Sequence, residues 1–359
     1  MSSSAARPVS PPEESGALYL AEIREQPAAL RRLLAYRPEF ARVAAAISEV
    51  SLVRMVGHGS SDNAASYGVY AFGLLGGQTA VRDSISLTVY YDAKIDLRHS
   101  LVLALSQSGQ TPDVLEYVTK ARHEGAFTIG ITNDPESDLA RVADAVLPLA
   151  AGAEHAVAAT KTYTNTLAAL ALLAGMVAGR GDEVAAGLEQ TADALEAALP
   201  QLERNAASIA VPFASVGRLF AIGRGVEFAT AREIALKLLE TCQIAAEPLT
   251  ATDLAHGPIA ALDPLFPVWT IASRDEALPT AVEAARRVRV TGATLVASGN
   301  AASEIEGAAY SLPVPEPPLP LLAPLLSVVP GQLFAGALAH ARGLDSDHPE
   351  GLTKVTLAQ

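Results

Sequence analysis

The chain has 359 residues, enough for two domains of ordinary size. Half of the residues are hydrophobic and 18% are charged, which excludes a mainly disordered polymer. Asp and Glu outnumber Lys and Arg by 39 to 26, a formal net charge of −13, so the basic footprint of a nucleic-acid binder is absent and any anionic ligand has to be held by local geometry.

Residues 1–16 are polar and proline-rich and lack the basic start and apolar run of a signal peptide, so a disordered lead is expected. Residues 17–48 read as a helical segment interrupted at Pro27 and Pro38. From residue 49 the texture changes. The segments SLVRMVGHGSS, SLVLALSQSGQT and AFTIGITND each read as strand, loop and helix start, which predicts a parallel sheet covered on both faces over 49–180. A long Ala/Leu helix is predicted from Thr160 to Val177. A linker helix follows over 181–204, starting near Asp182 and stopping at Ala198 ahead of Pro200.

Over 205–345 the pattern restarts: RLFAIGRG matches VRMVGHG, FPVWTIASRD matches SLVLALSQSG, and ATLVASGN matches AFTIGITND. Gly57, Ser106 and Thr132 are 49 and 26 residues apart; Gly223, Ser273 and Ser298 are 50 and 25 apart. Three matched strand ends in one order indicate an internal duplication, two α/β domains of similar topology. Residues 346–359 form a C-terminal tail. The apolar stretches Leu167–Gly179 and Leu319–Ala339 are too short for a bilayer or broken by Pro320, Pro324 and Pro330, so both read as buried elements and no membrane is expected. A single cysteine, Cys242, excludes an internal disulfide and fits the reducing cytoplasm.

Chemistry is concentrated in two places. The loop SQSGQT offers hydroxyls from Ser106, Ser108 and Thr111, the Gln107 amide and a flexible Gly109, with Thr111 placed as N-cap and Pro112 as first helical residue. This is an anion cradle without lysine or arginine, assisted by a helix N-terminus; ordinary helix capping explains the same pattern. The matching loop of the second half, ASRDEALPT, has Asp275 and Glu276 and would repel an anion, so a phosphate is expected in the first half only. GHGSSD has Asp62 where a dinucleotide fingerprint needs its third glycine, so Ser60 and Ser61 read better as further hydroxyls for the same ligand than as part of an NAD site.

The second place is the stretch from Glu233 to His256. Glu233, Lys237 and Glu240 share a helix face, the pattern of a solvated salt bridge but on an otherwise apolar helix. His256 follows in a Gly-Pro turn. A glutamate and a histidine are what aldose–ketose chemistry needs, one group opening the ring and one moving a proton between C1 and C2. No trio of ligands at metal spacing is visible, and neither a metal nor another cofactor is expected.

From about Leu20 to Gln359 the chain resembles the double sugar-isomerase (SIS) half of glucosamine-6-phosphate synthase and its stand-alone relatives. The resemblance rests on AEIREQP, GHGSS, SQSGQT, AEHAVAATKTYT, ALKLLE, HGP and GLTKVT, in that order. It implies two tandem flavodoxin-like, three-layer α/β/α domains and a sugar phosphate held by Ser61, Ser106, Gln107, Ser108 and Thr111, with the Val157 backbone lining the sugar. It further implies that Glu240 shuttles the C1/C2 proton, Lys237 orients Glu240 or the substrate, Lys354 contacts the open-chain carbonyl or forms a Schiff base with it, and His256 assists ring opening from a neighbouring subunit, hence a homodimer.

Two departures stand out. The synthase has an N-terminal cysteine nucleophile in a glutaminase domain, for which this chain shows no counterpart, and it has Ala where this chain has Thr353. The expected activity is therefore deamination of glucosamine 6-phosphate to fructose 6-phosphate and ammonia. A 6-phosphofructosyl-amino acid deglycase, a galactosamine-6-phosphate deaminase/isomerase and a glutamine-independent aminotransferase-like protein are open alternatives. A non-catalytic sugar-phosphate sensor would keep the fold without the acid–base set.

Overall fold

A computed structural model describes residues 15–47, 50–91 and 93–354. The expected disordered lead falls almost wholly outside them. Three short helices open the described chain: α1 (Ala17–Arg24), α2 (Gln26–Leu34) and α3 (Arg37–Ala46). Pro27 and Pro38 each sit in the first turn of a helix, where a missing N–H leaves no partner wanting. The first α/β unit runs β1 (Leu52–Val56), α4 (Ser60–Gly76), β2 (Ala80–Arg82), α5 (Ile85–Val89), β3 (Ser100–Leu105), α6 (Pro112–His123), β4 (Phe127–Thr132), α7 (Asp138–Val142), β5 (Ala145–Pro148) and α8 (Lys161–Val177). Helix α9 (Gly181–Ala210) connects it to the second unit. That unit runs β6 (Arg218–Gly223), α10 (Glu227–Cys242), β7 (Ala245–Thr250), α11 (Ala251–Ala255), β8 (Pro267–Ile271), α12 (Leu278–Val290), β9 (Thr294–Gly299), β10 (Tyr310–Pro313), α13 (Ala323–Ser327) and α14 (Val329–Ala341).

Both sheets are parallel and five-stranded, in the orders β2-β1-β3-β4-β5 and β7-β6-β8-β9-β10. These are the same topology, as the duplicated motifs require. β3 is buried along its whole length, as a central parallel strand must be. The inner faces of the two sheets share one core, in which Met55, Leu103, Leu170, Leu188, Trp269 and Phe334 belong to a single cluster. Each outer face has its own, around Val102 and Val118 in the first unit and Val268 and Leu295 in the second. Each leucine so buried contributes roughly 1.5–3 kcal/mol relative to exposure.

One expectation changes and another holds. The linker helix does not stop at Ala198: α9 passes through Pro200 and continues to Ala210. Proline there removes one hydrogen bond, but the continuation keeps Leu202, Ala206 and Ile209 buried in the shared core, with α9 packed against α14. Secondly, Pro320–Ala341 is apolar and long enough to cross a bilayer, yet 89% of its most apolar window is buried inside the protein. It packs as a core element against α9 and α10.

Candidate active site

In both sheets the strand order reverses between the first and third strands, where open α/β sheets hold ligands at their carboxyl ends. In the first sheet Val56 pairs with Ala104, so the loops starting at Gly57 and Ser106 leave the sheet side by side. Between them lies a cleft of about 570 Å³. Ser60, Ser61, Ser106, Gln107, Ser108, Thr111, Val157, Glu240 and Lys354 all line it. A helix from the second unit and the C-terminal tail thus complete a site whose floor belongs to the first.

The serine loop is held from within. The Gly109 amide donates to Ser106 Oγ at 3.1 Å, the Gln110 amide to Ser108 Oγ at 3.3 Å, and Ser106 Oγ lies 3.2 Å from Thr111 Oγ1. Gly109 has φ of +63°, and a Cβ there would stand 2.2 Å from Ser137 Oγ, so this turn admits only glycine. Thr111 is the N-cap residue of α6, but its hydroxyl caps no amide of the helix and turns to Ser106 instead. The plain capping explanation of this threonine therefore fails. The loop lies over the N-terminus of α6, whose first-turn N–H groups favour an anion.

The matching place in the second unit is closed. Glu227, fully buried, accepts from Thr230 Oγ1 at 2.5 Å and from Ser273 Oγ, and the hollow it shares with Arg224 and Asp275 has no room for a water molecule. Burial raises the Glu227 carboxyl above its usual range. A carboxyl group fills the place where an oxyanion would go.

Glu233, Lys237 and Glu240 do not form a solvated face. Glu233 and Lys237 are fully buried, and only Glu240 reaches the cleft, its side chain 23% exposed. Helix α10 lies against α4, which seals this stripe. Lys237 Nζ donates to Glu240 Oε2 at 2.5 Å and lies 3.4 Å from Glu233 Oε1. Glu233 also accepts from Ser60 Oγ and Asn63 Nδ2, each at 2.8 Å. Burial alone would lower the Lys237 ammonium; the carboxylates of Glu240 and Glu233 outweigh it and hold it above its ordinary value. Burial raises Glu233 despite the lysine. Lys237 is thus a fixed cation behind Glu240, not a wall of the cleft.

Lys354 is more than a tail charge. Its ammonium donates to Glu154 Oε2 and to the Ala156 carbonyl, both at 2.7 Å. Glu154 also accepts from the Thr160 and Thr162 amides and the Thr162 hydroxyl. Burial would raise its carboxyl, but the Lys354 charge and these hydrogen bonds bring it below its usual value. The Val157 amide donates to the Asp347 carbonyl at 2.9 Å. Glu22 of α1 accepts from the His155 and Ala156 amides on the other side. Tail, loop and first helix therefore form one clamp. Glu154, Glu22 and Asp347 are not legible in the sequence because each has a partner more than 100 residues away, Lys354 for Glu154, the His155 and Ala156 amides for Glu22 and the Val157 amide for Asp347; the available signal was Glu154 and Glu22 inside AEHAVAATKTYT and AEIREQP.

The clamp has a pH signature. A carboxylate depressed by folding adds stability that is fully present above its unfolded value, near 4.5, and is lost as pH falls through the lower folded value. Glu154→Gln should therefore cost about 1–3 kcal/mol at pH 7. The gap to the unsubstituted protein should narrow steadily below pH 4.5, as read by urea unfolding across pH.

Besides Lys237, His256 also lies outside the cleft lining. It caps the C-terminal end of α11, exposed, and is not among the residues lining the cleft of its own chain. Asp62, at the third-glycine position of the glycine pattern, is instead held by Arg82 and by Arg232 of α10, each at 2.7 Å, and bridges the two units. Cys242 ends α10, buried, with its thiol donating to the Ala335 carbonyl at 3.2 Å; burial pushes it up to about 11. Among the described residues no three His, Cys, Asp or Glu side chains are grouped to hold a metal ion.

Fold and cleft together define a duplicated α/β protein in which an uncharged hydroxyl loop at a helix N-terminus shares a cleft with a glutamate backed by a buried lysine. The SIS domain model matches residues 47–176 and 213–342, and the chain belongs to that family. It is 36% identical over 355 residues to the glutamine–fructose-6-phosphate aminotransferase (isomerizing) of Symbiobacterium thermophilum, covering 93% of this chain and 58% of that protein. The chain thus spans little more than half the length of the curated relatives it matches. Among solved structures, the C-terminal domain of glucosamine-fructose-6-phosphate aminotransferase from Francisella tularensis superposes with a TM-score of 0.85 at 26% identity, covering 92% of this chain and 98% of that one. A protein from Silicibacter pomeroyi given the provisional name phosphosugar isomerase superposes with a TM-score of 0.81 at 32% identity, covering 92% and 99%.

Proposed function

We propose that the chain is a sugar-phosphate enzyme that converts glucosamine 6-phosphate and water to fructose 6-phosphate and ammonia. The phosphate sits among Ser61, Ser106, Gln107, Ser108 and Thr111. Glu240 takes the proton from C2 and returns it to C1, leaving an imine at C2 that water hydrolyses with release of ammonia. Lys237 fixes the Glu240 carboxylate in place. Lys354, bonded to Glu154 and to a carbonyl, supports a charged contact to the substrate carbonyl oxygen, since a Schiff base would first have to break both bonds. His256 acts on the ring oxygen from a second copy of the chain, which makes the working unit a homodimer in the cytoplasm.

The observation that supports this best is that Glu240, backed by a buried lysine, shares one cleft with an uncharged hydroxyl loop at a helix N-terminus. The test is ammonia release from glucosamine 6-phosphate with stoichiometric fructose 6-phosphate. No turnover of glucosamine 6-phosphate would overturn the reading, and turnover of galactosamine 6-phosphate or of a 6-phosphofructosyl-amino acid in its place would reassign the substrate.

A further inference from the structure

One pair at the mouth of the cleft is unused by this mechanism. His58 and Asp113 both line the cleft, His58 in the loop after β1 and Asp113 in the first turn of α6. His58 Nε2 lies 2.7 Å from Asp113 Oδ2. Asp113 is nine-tenths buried, and its Oδ1 is buried without a hydrogen-bond partner among the described residues. A carboxylate therefore stands at the helix N-terminus that the cradle would offer to a phosphate dianion, and two anions there repel each other. Asp113 from α6 bonds the imidazole, and the other titratable groups of the same cleft are Glu240 from α10 and the Glu154–Lys354 pair of loop and tail, with Glu233 behind Ser60. The lysine is already committed to its glutamate. In the duplicated half Arg224 occupies the position matching His58, between Gly223 and Gly225, and lines the closed hollow there, so a basic side chain stands at this loop position in both halves.

We propose that His58, oriented by Asp113, supplies the cation of the phosphate site and takes up a proton from solvent as the sugar phosphate binds. An imidazole bonded through Nε2 to Asp113 has Nδ1 left for the ligand, and only the protonated ring donates from both nitrogens. Histidine is the side chain whose charge changes within the physiological range, and an incoming dianion beside it favours the charged form. The His58–Asp113 pair would then carry one negative charge when empty and none when filled, which removes the repulsion between the Asp113 carboxylate and the incoming dianion.

This inference rests on the sugar-phosphate reading, and calorimetry separates the two. Fructose 6-phosphate is titrated into the full chain at pH 7.5 in two buffers of different ionisation enthalpy, so that the buffer dependence of the heat counts protons. The unsubstituted protein should take up more protons per site than His58→Gln, whose affinity should fall about 10- to 100-fold, the worth of one charged hydrogen bond. His58→Arg should recover affinity without recovering the uptake. If His58→Gln binds as tightly as the unsubstituted protein with the same uptake, the assignment of His58 is overturned and the phosphate site stands. If the unsubstituted protein binds no fructose 6-phosphate, the sugar-phosphate reading itself is overturned, and the role of His58 with it.

Discussion

Glu240→Gln should lower kcat for glucosamine 6-phosphate by about 10²- to 10⁴-fold, the usual share of a positioned acid–base group, while fructose 6-phosphate still binds. The two effects separate because the residues separate. The proposed phosphate residues lie in the loops after β1 and β3, whereas Glu240 comes from α10 of the other unit. Glutamine keeps the shape and can still accept the hydrogen bond from Lys237 Nζ, so the fold should lose little. It cannot take a proton from carbon. Loss of binding in parallel with turnover would mean that Glu240 is a structural or substrate-holding residue. Retention of more than a tenth of the turnover would mean that another group moves the proton, and the other carboxylate of the cleft with a fixed lysine partner is Glu154.

Much of the architecture was legible from pattern, and what was missed has physical causes. β1, β3 and β4 announce themselves as apolar runs because both faces of a parallel sheet are covered. β2 has three residues, none buried, and no apolar run to read. Pro200 reads as a stop because its local cost is visible in sequence and the burial of Leu202, Ala206 and Ile209 that offsets it is not. The spacing of Glu233, Lys237 and Glu240 predicted one shared face correctly but not its environment, since only the packing of α4 against α10 decides whether that face is wet. His256 shows the converse. Sequence can name a residue for a site, but in a single chain the geometry leaves it on the surface.

Lys237→Met should destabilise the protein by about 3–5 kcal/mol, the cost of leaving buried charge without its partner. The methionine fills the same channel, so the loss is electrostatic rather than steric. Glu233 is then the stranded group: fully buried, with Ser60 and Asn63 as its remaining partners. Its carboxyl is already raised by burial with the lysine present, and removal of the lysine raises it further. A carboxyl raised by folding costs stability above its folded value and costs nothing below its unfolded one. The penalty of Lys237→Met should therefore be larger at pH 8 than at pH 5 when both are measured by urea unfolding. Adding Glu233→Gln removes the stranded charge while keeping an acceptor for Ser60 and a polar partner for Asn63, and the double variant should recover more than half of the lost stability. Glu240, with solvent on one side, can shed its share of the penalty to water. If the double variant is as unstable as the single one and the penalty is flat with pH, the methionine has failed on packing, and Lys237 is a space-filling residue whose charge does not position Glu240.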